Sequence, residues 1–188
     1  MRENKHRTMP RDITLSAVFA VLTSIGAWIS IPITPVPVTL QVFFVLLSGA
    51  ILGSRRGALS QITYLMLGSI GFPIFAGLAS GPGVVVGPTG GYLFGFILGA
   101  YLTGRIVEVK QTRRLSWMIL STLSGLLPIY LLGSIWLSVW FKGSLTIALS
   151  IGVLPFLPVD ALKACVAALI AHRLRATTFF LNNGKGDS

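Results

Sequence analysis

The stretch LPFLPVDALKACVAALIA, residues 154–171, decides how this chain folds. It is apolar enough for a membrane helix, yet it contains Asp160 and Lys163 three residues apart, and Pro155 and Pro158 near its start. An ionisable group in a membrane segment is costly unless it faces protein, water or a partner. Residues i and i+3 lie on one helix face, and broken helices are typical of transporter binding sites. The stretch therefore predicts a broken last helix whose acid and amine face a ligand together.

A structural interpretation of Asp160 and Lys163 stays open beside this one. The two charges would neutralise each other and only fix the packing of the helix. The other four acids lie at an end of the chain or where an apolar segment meets a basic loop: Glu3, Asp12, Glu108 and Asp187. Asp160 is thus the one carboxylate deep within apolar sequence, which makes it the first candidate for a binding role.

The composition is that of an integral membrane protein. The 188 residues are 53% hydrophobic and 11% charged, with a mean hydropathy of +0.81, whereas a soluble domain has about 25% charged residues. The formal net charge is +10, but apart from Lys163 the Lys and Arg residues are confined to the chain ends and to short gaps between apolar runs, without interleaved aromatic residues. This pattern excludes a nucleic-acid interface and is explained by membrane topology.

Six apolar segments predict an all-α integral membrane fold, a bundle of six transmembrane helices. The segments are residues 12–30, 38–53, 57–71, 91–107, 115–141 and 145–171. The second and third are shorter than the usual span of about 17–25 residues, so tilted, locally thin or re-entrant arrangements stay open for them. We expect one membrane domain over residues 1–188, with a basic N-terminus (1–11), the six segments (12–175) and a tail (176–188).

Basic and uncharged loops alternate along the chain. The connection between segments one and two (loop one, residues 31–37) and that between segments three and four (loop three, residues 72–90) contain no charge, and the fifth gap has Lys142 alone. The other gaps and both ends are rich in Lys and Arg. Because cytoplasmic loops carry an excess of these residues, both termini are predicted to be cytoplasmic and loops one and three to lie outside.

Loop three is long, rich in Gly and Pro, and apolar. Loops of this length are usually functional, and an apolar one is expected to pack inward. We expect it to cap, with loop one, an outward-opening cavity whose floor is Asp160 and Lys163. Its last residues, 87–90, either form only a turn or present N–H groups at a helix N-terminus to an acceptor on a ligand.

Two stripes of small residues predict close helix contacts. The stripe in segment four is Gly91, Gly95, Gly99 and Thr103, and it is interpreted as packing. The face in segment one is interpreted as a docking surface, either within the bundle or for another protein; it consists of Ser16, Ala17, Ala20 and Ser24.

The sequence lacks the residues that several catalytic mechanisms need. It has no G-x-x-x-x-G-K-[ST] phosphate loop, so we expect no ATP hydrolysis by this chain. It has no Ser/His/Asp set for hydrolysis, and a single cysteine with two histidines offers no metal cluster. These observations favour a transport protein without cofactor over an enzyme.

The motifs GPTGGYLFGF (residues 87–96) and PFLPVDALKACVAALIA (155–171) resemble the BioY family, the biotin-specific substrate-binding (S) components of energy-coupling factor (ECF) transporters. PITPVPVTLQ (32–41) and FPIFAGLASG (72–81) extend the resemblance over nearly the whole chain. It implies a six-helix S component in the cytoplasmic membrane of a prokaryote, with an outward-facing biotin pocket closed by loops one and three. It also implies two kinds of partner, a transmembrane coupling subunit and two cytoplasmic ATPase subunits.

The resemblance also implies roles for individual residues. Asp160 and Lys163 would be the polar anchors, and residues of the first loop down to Gln41 would form part of the cover. The face around Ala17 and Ala20 resembles the surface that docks on the coupling subunit. The Asn or Arg side chains that some relatives have near loop three are absent here. The residues that would line the site are Gly77, Pro88, Thr89, Gly90 and Tyr92.

Biotin fits these residues chemically. Its ureido ring offers two N–H donors to a carboxylate, its bicycle is apolar, and its valerate is an anion for an ammonium or for helix N-terminal amides. Which polar end meets Lys163 stays open. The alternatives are an ion-gradient-driven or facilitative small-molecule transporter, and a membrane scaffold without a ligand.

Overall fold

The chain forms a bundle of α-helices in the part that the computed structural model describes, residues 10–33, 35–110 and 114–183. Most of the predicted basic N-terminus lies outside that part. The predicted tail begins as a continuation of the last helix through residue 183, and residues 184–188 lie outside. The helices are α1 (Pro10–Trp28), α2 (Gln41–Leu52), α3 (Ser54–Ser69), α4 (Pro82–Val86), α5 (Gly90–Lys110), α6 (Leu115–Trp140), α7 (Leu145–Gly152) and α8 (Leu157–Asn183).

The expected count of six spans is only partly met by helix length and composition. Among the residues described, α5 and α6 are long and apolar enough to cross a membrane, and the bent pair α7 and α8 would make a third span. The 12 residues of α2 rise about 18 Å, well short of a hydrocarbon core of about 30 Å. The fold is therefore a mostly helical membrane bundle with two or three candidate spans.

Two short β-strands at the ends of loop one are the departure from an all-α fold in the described segments. Strands β1 (Ser30–Ile31) and β2 (Val38–Thr39) flank it and pair antiparallel, with Ser30 opposite Thr39 and Ile31 opposite Val38. The pairing was not predicted, because two-residue strands have no sequence period. It folds the proline-rich loop back over the bundle.

The predicted break in the last segment is confirmed. Helices α7 and α8 are bent by 56°, Pro155 lies between them, and Pro158 lies in the first turn of α8, where a missing N–H is tolerated. In contrast, Pro128 lies inside α6, which runs without interruption from Leu115 to Trp140. The break puts Asp160 in the first turn of α8, 4% exposed.

The glycine stripe of α5 packs against α6, as predicted. A Cβ on Gly95 would lie 2.7 Å from the Cα of Ile129, and one on Gly99 would lie 2.8 Å from the carbonyl oxygen of Gly125. Neither position therefore has room for a side chain. The absence of side chains lets α5 and α6 approach closely.

Loop three is folded rather than extended. It contains a 3-10 turn at Ala76–Leu78 and the short helix α4, and Phe75 is almost completely buried, edge-on to Tyr64 of α3. The inward packing expected of this apolar loop is thus confirmed at Phe75, whereas Phe72, Leu78 and Val86 are exposed.

Candidate functional site

A cavity of about 350 Å³ lies under loops one and three at one end of the bundle. Its size is at the lower end of the range for small-molecule sites, about 300–1,000 Å³. Most of its wall is apolar or aromatic. Its lining comes from loop one and β2 (Pro35, Val36, Pro37, Thr39), α2 (Gln41, Val42), loop three (Phe75, Ala76, Ala79, Gly83, Val84, Gly87, Pro88, Thr89), α5 (Tyr92, Leu93, Phe96), α6 (Ile129, Tyr130) and the broken last segment (Gly152, Phe156, Asp160).

Asp160 is the charged group among the lining residues, and both of its carboxylate oxygens are held. Tyr130 donates its hydroxyl hydrogen to Oδ2 at 2.8 Å, and the Lys163 ammonium donates to Oδ1 at 2.7 Å. A buried carboxylate is tolerated only with such partners. Each oxygen has further lone-pair capacity, so the carboxylate is able to accept hydrogen bonds from a ligand in the cavity.

Lys163 connects the last helix to the loop-one cover. Its Nζ donates to the carbonyl oxygen of Thr39 in β2 at 2.7 Å, besides its bond to Asp160. Lys163 is not part of the cavity wall. The structure thus brings the predicted pair together, but only Asp160 faces the cavity directly.

Gln41 joins both covering loops to the helices. Its side-chain oxygen accepts from the Thr39 hydroxyl at 2.8 Å, and its amide nitrogen donates to the Tyr64 hydroxyl at 2.6 Å. Tyr64 in turn donates to the carbonyl oxygen of Ile74 in loop three at 3.1 Å. Gln41 therefore lines the cavity, as expected of the cover, and also connects loop one to loop three.

Tyr92 of α5 contacts both α6 and the end of α7. Its hydroxyl donates to the carbonyl oxygen of Gly152 at 2.8 Å, and its ring occupies the space that a Cβ at Gly133 would need. The ring side lines the cavity together with Pro88 and Thr89. These three predicted site residues are therefore close together at the start of α5.

Gly77 and Gly90 were predicted to line the site, but neither is part of the cavity wall. Gly77 has a φ of 68° inside the 3-10 turn, a conformation that favours glycine. A Cβ at Gly90 would collide with the carbonyl of Val85. Both glycines shape the loop that covers the cavity, and their neighbours Ala76 and Thr89 supply the wall.

Several lining residues were missed by sequence reasoning. Tyr130 is the most informative, because a buried tyrosine hydroxyl in an apolar helix usually has a partner, and this one is bonded to Asp160. That signal was present in the sequence, although its partner was not. Phe75, Phe96 and Phe156 line the cavity too, and nothing distinguished them from other apolar residues.

The predicted docking face of α1 is mostly turned into the bundle. Ser16, Ala20 and Ser24 are buried, and the Ser16 hydroxyl donates to the carbonyl oxygen of Arg56 in α3 at 3.2 Å. Small residues at these positions let α1 and α3 approach each other. Of the four, Ala17 alone is exposed, which restricts a docking role to the side of α1 that carries Ala17.

Comparisons with known proteins agree with this geometry. A sequence model described as the BioY family matches residues 1–179. The chain is 47% identical to the biotin transporter BioY of Thermotoga maritima, covering 88% of this chain and 96% of that protein. It is 44% identical to the probable biotin transporter BioY of Pyrococcus horikoshii, covering 89% and 98%.

A solved structure shares the fold as well. The crystal structure of the S-component for biotin from an ECF-type ABC transporter superimposes with a TM-score of 0.82 at 28% identity, covering 93% of this chain and 95% of that one. The chain belongs to the BioY family.

Proposed function

We propose that this chain binds biotin in the cavity under loops one and three and acts as the substrate-specific component of an ATP-driven vitamin transporter. The observation that carries the proposal is Asp160, a partnered carboxylate in an otherwise largely apolar wall. Two similar chains are named biotin transporters, and the similar solved structure is a biotin S-component. A transport role without its own catalysis also agrees with the missing phosphate loop.

Biotin suits the cavity group by group. The ureido N–H groups are donors of the kind that Asp160 accepts, and Tyr130 fixes the orientation of that carboxylate. Phe75, Phe96 and Tyr92 offer apolar surface to the bicycle. The valerate is left to Lys163 or to the backbone at the start of α5, and either arrangement places an anion near a cation or a helix N-terminus.

The energised assembly is part of the same proposal. We place six transmembrane segments in the cytoplasmic membrane of a prokaryote, with both termini in the cytoplasm and the cavity open to the outside. A transmembrane coupling subunit and two cytoplasmic ATPases would supply the energy. Loops one and three, which cover the cavity, have no charge, and Lys142 alone lies in the α6–α7 gap, whereas Arg55, Arg56 and Arg105 line the cavity at the opposite end; this supports the orientation.

Equilibrium binding of labelled biotin to the purified chain tests the ligand. Biotin-stimulated ATPase activity on adding the coupling subunit and ATPases tests the assembly. Uptake that needs no ATPases and stops with an uncoupler would instead support an ion-gradient-driven transporter. If no small molecule raised the thermal stability of the purified protein in a thermal-shift screen, the result would support a membrane scaffold without a ligand.

Cysteine labelling tests the orientation in cells, after Cys165 is replaced. Cysteines at Ser80 and Ser144 should react with an impermeant reagent from outside, and one at Thr112, outside the described residues, should not. The reverse pattern would overturn the orientation.

A pair of tryptophan substitutions tests docking through α1. Ala17→Trp adds a ring to the exposed side, so we expect biotin binding to persist while co-purification with a coupling subunit is lost. Ala20→Trp places the ring in the buried interior of the bundle, because Ala20 is 2% exposed, and should destabilise the chain instead. If Ala17→Trp leaves co-purification unchanged, docking through Ala17 is excluded.

A further inference from the structure

A second large cavity lies at the opposite end of the bundle from the biotin cavity. It has a volume of about 710 Å³ and occupies the α2–α3 junction and the last turns of α5. The first cavity is lined by Tyr92, Leu93 and Phe96 in the first half of α5, whereas the second is lined by Tyr101, Arg105 and Glu108 in its last turns, so the two cavities lie towards opposite ends of this helix. We call the second one the basic cavity; its lining is Leu52, Ser54, Arg55, Arg56, Tyr101, Arg105 and Glu108.

The acids near the basic cavity already have partners. Both oxygens of Glu108 accept hydrogen bonds from Ser54, from its backbone N–H and from its hydroxyl, at 2.7 Å each. Asp12 of α1 pairs with Arg56 at 3.0 Å. Within the described ranges, Arg55 and Arg105 have no carboxylate at salt-bridge distance. The cavity thus presents two guanidinium groups without an acid partner, on neighbouring helices.

An apolar groove adjoins the basic cavity and shares Arg105 with it. The groove has a volume of about 320 Å³ and lies between α5 and α6, lined by Arg105, Ile106, Val109, Trp117, Leu120 and Ser124. Trp117 donates its ring N–H to the carbonyl oxygen of Ile106 at 3.2 Å, which holds the two helices at this spacing. From Trp117 to Ser124 the groove follows α6 for about two turns towards the bundle centre.

We propose that the basic cavity binds the headgroup of an anionic phospholipid, with its phosphate between Arg55 and Arg105 and an acyl chain in the groove along α5 and α6. A guanidinium presents paired N–H donors that match phosphate oxygens. Basic pockets between transmembrane helices bind phospholipid headgroups in this way. The groove decides for a lipid over free phosphate or an acidic peptide, because only a lipid joins a phosphate to a hydrocarbon chain.

The position of the cavity gives this lipid a structural role. Helix α2 has 12 residues, fewer than a typical membrane span, and the α2–α3 junction at Gly53 contacts α5 so closely that a Cβ on Gly104 would collide with it. Tyr101, 43% exposed on α5, is an amphipathic side chain of the kind that lies at headgroup level. A phosphate bound here anchors the α2–α3 junction at the membrane surface. The biotin cavity at the other end is not involved.

Competitive lipid binding to the full-length chain tests the proposal. The chain is placed in vesicles of phosphatidylcholine with phosphatidylglycerol, extracted, and its retained lipids are measured by mass spectrometry. We expect phosphatidylglycerol to be enriched over phosphatidylcholine. Arg55→Gln and Arg105→Gln should each weaken phosphatidylglycerol retention about fivefold. Arg114→Gln is the matched control, because it removes a positive charge at the same end outside the cavity and should leave the enrichment unchanged.

Further arms distinguish the possible occupants. Glycerophosphoglycerol and inorganic phosphate have the phosphate without acyl chains, so neither should displace the bound phosphatidylglycerol. If either displaced it as well as added phosphatidylglycerol does, the cavity would be a phosphate site and the lipid assignment would be overturned. Unchanged lipid enrichment in the double variant Arg55→Gln/Arg105→Gln would overturn the proposal. If this variant instead lost binding to the coupling subunit while its retained lipids stayed the same, the basic cavity would bind an acidic protein partner, and the lipid proposal would be overturned as well. Arg105→Lys keeps the positive charge without the paired N–H donors, so its retention of phosphatidylglycerol should be intermediate. For each variant, elution as a single monodisperse peak after reconstitution in phosphatidylcholine verifies that the protein is folded.

Discussion

The two ends of this bundle each contain an ion pair, and the pairs have different surroundings. At the cavity end, Lys163 and Asp160 are 2.7 Å apart with side chains 12% and 6% exposed. At the basic end, Arg56 and Asp12 are 3.0 Å apart with side chains 47% and 17% exposed. The buried pair has further hydrogen bonds to Tyr130 and to the Thr39 carbonyl. The exposed pair is open to solvent or headgroups on the arginine side.

The difference follows from the energy needed to remove a charge from water. A buried charge must be fully partnered, so removing one member of its network is expensive. An exposed pair gains little, because solvent and salt screen it. The charges at the cavity end are therefore held by several partners, whereas at the basic end Arg55 and Arg105 have no carboxylate at salt-bridge distance among the described residues. The four predictions below test this contrast, from the largest expected effect to the smallest.

Replacing Asp160 should have the largest effect. Asp160→Asn removes the charged acceptor, so affinity for biotin should fall by about one to three orders of magnitude, since hydrogen bonds to charged groups contribute about 1.5–3 kcal/mol. Titration with labelled biotin measures this. Glu108→Gln is the control, because it neutralises a hydrogen-bonded acid at the other end and should leave affinity unchanged.

The structural interpretation of the pair makes the opposite prediction. If Asp160 only neutralises Lys163, Asp160→Asn should lower the free energy of unfolding by about 3–5 kcal/mol with little change in the affinity of the folded protein. Asp160→Asn combined with Lys163→Met should then restore stability. A double variant that binds biotin like the parent would refute the role of Asp160 in binding.

Filling the space behind Tyr92 should affect stability. Gly133→Ala puts a Cβ into the Tyr92 ring, and such overpacking lowers the free energy of unfolding by about 1–3 kcal/mol. Thermal unfolding in detergent measures the change. Gly83→Ala is the control, because nothing lies within 4 Å of its Cβ position. Equal stability of the two variants would contradict the tight packing of Tyr92.

Removing the Tyr130 hydroxyl should have a smaller effect on binding. Tyr130→Phe keeps the ring and deletes one hydrogen bond to Asp160, so affinity for biotin should fall by about twofold to tenfold. Tyr101→Phe removes a hydroxyl at the basic end and should change nothing. A Tyr130→Phe protein with parental affinity would mean that Lys163 alone orients the carboxylate.

Breaking the exposed pair should have the smallest effect. Asp12→Asn should lower the free energy of unfolding by less than about 1 kcal/mol, and added salt should reduce even that difference. Thermal unfolding at low and high salt measures both. A loss of about 3–5 kcal/mol, the cost of breaking a buried ion pair, would show that burial does not separate the two ends.

Local sequence alone indicated much of the secondary structure. The apolar segments marked the long helices, and Pro155 with Pro158 marked the break before Asp160, because proline disrupts helical hydrogen bonding wherever it occurs. The stripe Gly91, Gly95 and Gly99 correctly indicated a close helix contact. These features follow from residue type and spacing, so no knowledge of distant neighbours was needed.

The number of membrane spans and the partners of the site residues could be determined only from the tertiary structure. Helix α2 ends at Leu52 and α3 begins at Ser54, which leaves helices too short to be judged as spans by length. Tyr130 and Asp160 are thirty positions apart, and Lys163 reaches Thr39 across 124. Such pairings depend on how helices pack, which a single sequence does not encode locally.

The same distinction applies to the small residues and to the charges. Sequence determined that Ser16, Ala17, Ala20 and Ser24 include a close-packing face and that Asp160 needs partners, because side-chain volume and desolvation are properties of the residues themselves. Only the tertiary structure decided that three of the four are buried inside the bundle, and that Asp160 faces the cavity while Lys163 holds the cover. Direction and partner depend on the positions of elements far apart in the chain.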